Sequence, residues 1–205
     1  MNLKPLLILT TGVIVGYLNL IPESLIQLNS KAIKAALFAL FIAIGMDMGK
    51  DDKLWESLKE LKGSVIYIAL TGLMGSLMGG ALASLLVNIP LSTSVASAAG
   101  SGYYSITTLM LKEVGGPEQA LIGFISNLLR ELMVIVGMPF IAKIWGKAGA
   151  VAAAGATAMD TALPFIVKSV GKEVGILSFA SGVILTLLVP FLVPTLYKIL
   201  STLLP

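Results

Sequence analysis

The chain has 205 residues, 57% of them hydrophobic and 12% charged, with a formal net charge of +3. A soluble domain is nearer 45–50% apolar and about 25% charged, so a mean hydropathy of +0.96 predicts a polytopic all-α membrane protein, its apolar runs approaching the ~20 residues that cross a hydrocarbon core. Continuous runs exclude the short alternating strands of a membrane barrel. With no cysteine and no histidine, disulfides, thiol chemistry and the usual zinc ligands are excluded, and proton chemistry falls to carboxylates, lysines or tyrosines. No metal and no resident cofactor are expected, and no nucleic-acid surface: the positive balance comes from loop lysines, which in a bilayer protein report topology.

Seven apolar segments follow one another in what reads as a single transmembrane domain over 1–205: 4–21, 32–49, 63–88, 92–111, 119–142, 149–168 and 174–200. The first, with Lys4 before Pro-Leu-Leu-Ile-Leu, looks like a signal peptide but lacks the small-residue cleavage pattern, so it is read as a spanning helix. Asp47 lies near the end of the second. "KDDKLWESLKELKG" at 50–63 reads as an amphipathic surface connector.

The fourth and sixth segments are unlike the rest. "STSVASAAGSGYYSITTLML" is rich in small and hydroxyl residues and is interrupted at Gly100-Ser101-Gly102. "GAVAAAGATAMDTALPFIVKSVG" is mostly alanine, carries Asp160 and is interrupted at Pro164, where a proline removes a backbone hydrogen bond. Freed backbone groups survive in a membrane only when buried in protein or facing a wet cavity.

Lysine placement bears on these two segments. Seven spans place Lys4, 50, 53, 59, 62, 112, 168 and 172 on one side, against Lys31, 34, 143, 147 and 198, which is eight against five. Making the fourth and sixth segments re-entrant moves Lys143 and Lys147 to the first side and Lys112 off it, giving nine against four. The better-polarised arrangement has five full spans and two broken segments that enter from opposite faces and meet near the midplane, a recurrent transporter plan. Both arrangements place the N-terminus inside and the C-terminus outside.

Charges deep in apolar segments are few: Arg130, Glu131 and Asp160. Each costs ~2.5–3.5 kcal/mol at a helix centre on insertion scales, so each is paired, hydrated or used. Arg130, the only arginine, points about 100° away from Glu131 on a helix and shares a face with Ser126, whereas Glu131 shares one with Asn127. Arg130 is expected to meet a carboxylate of another segment or to reach an interface. Glu131 and Asp160 have no fixed basic partner in their own segments, which suggests a mobile positive charge: a proton, a metal cation or an organic ammonium. The two carboxylates with Asn127, Thr157 and backbone carbonyls would make only a weak sodium site, whereas an ammonium needs three acceptors, which two carboxylates and a carbonyl supply; Asn127 and Thr157 are candidates for substrate binding there. Two carboxylates at one buried site are expected to titrate as a coupled pair.

"GSGYYS" at 100–105, "SNLLREL" at 126–132 and "GATAMDTALPF" at 155–165, with "LFIAIGMDMG" at 40–49 and the amphipathic stretch after it, closely resemble the signature stretches of the LysO lysine exporters, and the resemblance runs along essentially the whole chain. It implies L-lysine efflux across the cytoplasmic membrane, driven by inward proton flow, with Glu131 and Asp160 as an acidic pair in a water-accessible cavity. Arg130 would then orient the carboxylates or anchor a substrate carboxylate. Gly102 and its neighbour Gly100 would open the backbone, Ser101 and Ser105 would add hydroxyls, and Tyr103 or Tyr104 would pack on an ammonium. Typical members are about half as long again, so the resemblance also implies a homo-oligomer, or a small membrane partner supplying the missing N-terminal helices. Rival readings are an antiporter of sodium, another cation or polyamines, and an accessory subunit of an exporter. An intramembrane protease is excluded for the serine type by the lack of histidine.

Overall fold

The computed structural model describes residues 52–171 and 174–203, with the isolated Val15. The apolar segments at 4–21 and 32–49, Asp47 and the N-terminal orientation lie outside the described residues. Among the described residues the backbone is helical without a strand: α1 (Asp52–Val87), α2 (Leu91–Ala99), α3 (Tyr104–Val114), α4 (Pro117–Ala154), a 3-10 turn (Gly155–Met159), α5 (Leu163–Val170) and α6 (Gly175–Leu203). Three stretches among these residues are long and apolar enough to cross a membrane, Gly63–Val87, Pro117–Met159 and Gly175–Leu203. The shortest, 25 residues, is about 37 Å long at 1.5 Å per residue, more than the hydrocarbon core requires. Their outer faces carry exposed Leu86, Leu129, Met133, Val136 and Phe191, as a lipid-facing surface does.

Two expectations about element boundaries change. Residues 52–62, within the stretch 50–63 read as a surface connector, form the first turns of α1, because a run of Lys, Glu and Leu has high helix propensity. The fifth and sixth apolar segments are joined in α4, which is broken not near Pro139 but at Gly146, with φ 65° and ψ −161°. Pro164 does not interrupt a helix either. It sits in the first turn of α5, where its missing N–H costs nothing, and the break runs ahead of it through Gly155–Ala162.

The segment 91–114 is a hairpin. The hydroxyl of Ser94 donates to the Gly80 carbonyl at 2.6 Å and that of Ser76 to Ala98 at 2.6 Å, so α2 runs back along α1 from its C-terminal end. After the break, α3 packs against the start of α4: a methyl on Gly123 would lie 2.5 Å from Leu111 and 3.2 Å from Thr107. That same methyl would lie 3.6 Å from the Ser97 hydroxyl. Both arms therefore reach the same turn of α4, and the segment enters and leaves at one end of the bundle. The second segment mirrors it at the other end. Ala150, Val151 and Ala154 fold back on Val134 and Met138, and Ile166 and Val174 complete that cluster. Tyr197 of α6 lies against Gly115, while Gly175 faces Val167, so α6 runs antiparallel to α4. Lys112 and Lys198 thus share one end, and Lys143 and Lys168 the other, as the re-entrant arrangement requires.

Small residues allow the crossings. On α1, Gly72, Ser76 and Gly80 recur every four residues and form one stripe. A methyl on Gly72 would come within 2.8 Å of the Ala152 carbonyl, and one on Gly80 within 2.5 Å of Ala98. The stripe therefore serves both broken segments, Gly72 the second and Gly80 the first. Such backbone approach is the usual basis of helix association in lipid.

Candidate functional site

The two broken segments meet tip to tip. The Ala156 N–H donates to the Ser101 carbonyl at 2.9 Å. Ser101 has φ 50° and Gly155 φ 64°, both in the left-handed region. A side chain at Gly155 would place its Cβ 2.5 Å from the Ser101 oxygen and 3.1 Å from the Arg130 guanidinium, so only glycine fits. Gly102, at φ 93°, faces Thr157 in the same way.

Breaking a helix in a membrane releases backbone groups that need partners, and one turn of α4 supplies most of them. Asn127, 2% exposed, accepts from the Gly102 N–H at 2.8 Å and donates to the carbonyls of Ser97 and Gly123 at 2.8 and 2.9 Å. Arg130 donates to the Ser76 hydroxyl at 2.8 Å and to the Ala153 carbonyl at 3.2 Å. The expected carboxylate partner of Arg130 is not found among the described residues; its bonds go to a hydroxyl and a carbonyl, because its side of α4 faces α1 and the second segment's first arm. Thr157 donates to the Ala154 carbonyl at 2.9 Å, and Ser178 of α6 caps the Ala158 carbonyl at 2.8 Å. Asn127, Arg130 and Thr157, taken from the sequence as substrate candidates, here hold backbone.

Glu131 is different. It lies one turn beyond Asn127, is 7% exposed, and accepts a hydrogen bond from the Thr161 hydroxyl. That hydroxyl stands 3.3 Å from Oδ1 of Asp160, and the Thr161 N–H donates to the same Asp160 oxygen at 2.6 Å. Thr161 therefore links the acid of α4 to the acid of the second tip. Asp160 itself is exposed, in the non-helical stretch that follows the 3-10 turn. Tyr104 lies within electrostatic range of both acids and Tyr103 of Asp160. Tyr104 packs edge-on against Phe124, ring centres 5.7 Å apart, and Ser105 beside it is exposed. Neither acid pairs with a lysine or arginine among the described residues. Ser101, expected to offer a hydroxyl to a cavity, is wholly buried and its Oγ has no hydrogen-bond partner among the described residues. Its carbonyl is what the structure uses.

Sequence reading missed Thr161 and Ser76. Thr161 follows Asp160 directly and lies in a helix break, which is the signal that would have marked it. Ser76 looks like an ordinary small residue until Arg130 is seen to reach it. No group of three or more acidic side chains among the described residues is placed to hold a metal ion.

The arrangement of tip, acid pair and scaffold helix coincides with the stretches that carried the family resemblance. The profile of the family described as "Lysine exporter LysO" matches residues 6–197. The chain belongs to the LysO lysine exporter family. It is 28% identical over 182 residues to the lysine exporter LysO of Escherichia coli strain K12, covering 88% of this chain and 60% of that protein. It is 33% identical over 119 residues to a putative lysine exporter of Haemophilus influenzae, covering 58% of this chain and 60% of that protein. The match thus spans about three fifths of each relative's length. The family is one of transporters and not an enzyme class, and its apolar helices make this a membrane protein. No solved structure matches the chain.

Proposed function

We propose that the protein exports L-lysine across the cytoplasmic membrane in exchange for protons, with Glu131 and Asp160 as the shared site of ammonium and proton. The observation that carries this reading is the convergence of the two acids on Thr161, with no lysine or arginine among the described residues paired to either. An ammonium group donates three hydrogen bonds, which two carboxylates and a backbone carbonyl accept. A proton competes for the same oxygens, and this is the requirement for antiport. Buried Glu131 and exposed Asp160 give the site one inner and one outer acid. The similarity to lysine exporters supplies lysine and the direction of export. The lysine count supports an orientation with Lys143 and Lys168 at the cytoplasmic end and the C-terminus outside.

The test is lysine efflux from proteoliposomes, with the chain alone and with candidate partners. Glu131→Gln and Asp160→Asn are near-isosteric changes, expected to reach wild-type membrane levels and to abolish efflux. Wild-type export by both variants would overturn the acid-pair reading. Counterflow of lysine against sodium or a polyamine separates lysine export from the rival antiporters.

A further inference from the structure

We propose that Thr161 is the proton-transfer link between Asp160 and Glu131, so that protons reach the buried acid through its hydroxyl. This rests on the acid-pair reading and adds a third residue to it. The geometry is specific. Thr161 Oγ1 bonds Glu131 on one side and stands 3.3 Å from Asp160 Oδ1 on the other. The Thr161 amide is already committed to that same Asp160 oxygen at 2.6 Å, which fixes the two residues relative to each other.

A hydroxyl carries one proton and two lone pairs, so it serves as donor to only one of the two carboxylates at a time. With both acids ionised it donates to Glu131, whose oxygen is the nearer of the two. When the exposed Asp160 takes a proton, its O–H turns to the free lone pair of Thr161. The Asp160 O–H bond then breaks as a new Thr161 O–H bond forms, while the original Thr161 O–H bond breaks and its proton passes to Glu131. Asp160 ends ionised, Glu131 neutral and Thr161 unchanged, with no water or other group consumed. The difference in exposure sets the order: Asp160 is exposed and Glu131 is 7% exposed, so protons enter at Asp160.

The other titratable groups around the site are Tyr103, which packs against Ala69, Leu73, Ala156 and Leu185, and Tyr104, whose ring lies on Phe124. From α4, Arg130 is turned away, toward Ser76 and Ala153. The tyrosine hydroxyls make no hydrogen bond with either carboxylate among the described residues, which leaves Thr161 as the hydroxyl joining them.

Thr161→Val keeps the shape of the side chain and removes the hydroxyl; Thr161→Ser keeps the hydroxyl. In proteoliposomes, Thr161→Val is expected to slow lysine-coupled proton movement, read with an enclosed pH dye, at least about tenfold. Exchange of labelled for unlabelled lysine, which needs no net proton transfer, is expected to continue. Thr161→Ser is expected to retain both. Wild-type proton coupling in Thr161→Val would overturn the relay and leave the acid pair standing, whereas wild-type export by Glu131→Gln and Asp160→Asn would remove the pair itself. Equal loss of exchange and coupling in both threonine variants would assign Thr161 a purely structural role and also overturn the relay. A second readout needs no transport. After a pH jump, the infrared carboxylic-acid C=O band that Glu131→Gln abolishes should form at least about tenfold more slowly in Thr161→Val; formation at the wild-type rate would overturn the relay.

Discussion

The amide of Ala156 donates to the carbonyl of Ser101 at 2.9 Å, and this single bond joins two segments that enter the bundle from opposite ends. Each tip supplies what the other lacks, an unpaired donor on one side and an unpaired acceptor on the other. Backbone groups released at the two breaks are thereby satisfied by the protein itself. The acids lie beside this junction, so any rearrangement that separates the tips also changes the surroundings of Asp160.

Gly155→Ala tests the junction. The new methyl would sit 2.5 Å from the Ser101 oxygen at a residue with φ 64°, and left-handed strain alone costs ~1–3 kcal/mol. The variant is expected to melt at lower temperature in detergent and to lose most export. Wild-type melting and export would show that the tips are not held together in this way.

Arg130→Lys separates scaffold from substrate binding. A lysine ammonium lacks the planar fork that spans Ser76 and Ala153, and leaving buried groups unpaired costs ~1–3 kcal/mol. Lower thermal stability is expected, with lysine affinity little changed in the folded fraction. A fully stable variant whose only defect is a raised KM would instead place Arg130 on the substrate carboxylate.

Topology is open to direct labelling, because the chain contains no cysteine. Lys112→Cys and Lys168→Cys are expected to react with impermeant maleimide from opposite sides of the membrane. Lys198→Cys should follow Lys112→Cys, and Lys143→Cys should follow Lys168→Cys. Labelling of positions 112 and 168 from one side would restore seven full spans.

Lysine binding should weaken on acidification. The ligand's side-chain ammonium, with an ordinary pKa of about 10.4, stays charged across neutral and acid pH. In the proposed mechanism the change therefore reports the protein's acids, because protonation would remove the negative charge that holds the ammonium. The dissociation constant measured by calorimetry is expected to rise as pH falls through the site's titration, approaching ~tenfold per pH unit for one competing proton. Glu131→Gln should flatten this dependence, and a flat wild-type profile would exclude competition.

Composition and run length together determined that this is an all-α membrane protein, since 57% apolar residues in long continuous runs suit spanning helices and not alternating barrel strands. The break at Gly100-Ser101-Gly102 was also legible, because glycine and hydroxyl residues clustered in an apolar run are a local signal. Glu131 and Asp160 stood out as carboxylates within apolar runs, but only the fold joins them through Thr161. Partner choice was not legible. Nothing near Arg130 in the chain points to Ser76, 54 residues away, or to a carbonyl at Ala153. Thr157 and Thr161 look alike in "GATAMDTALPF", yet one caps its own turn and the other joins two acids. That Asn127 would hold the first tip while Glu131, one turn later, would meet the second depended on how α4 packs between both hairpins. Helical periodicity places side chains on faces of a helix; only the tertiary packing of those faces, through close approach of glycines such as Gly72 and Gly155, decided which groups meet.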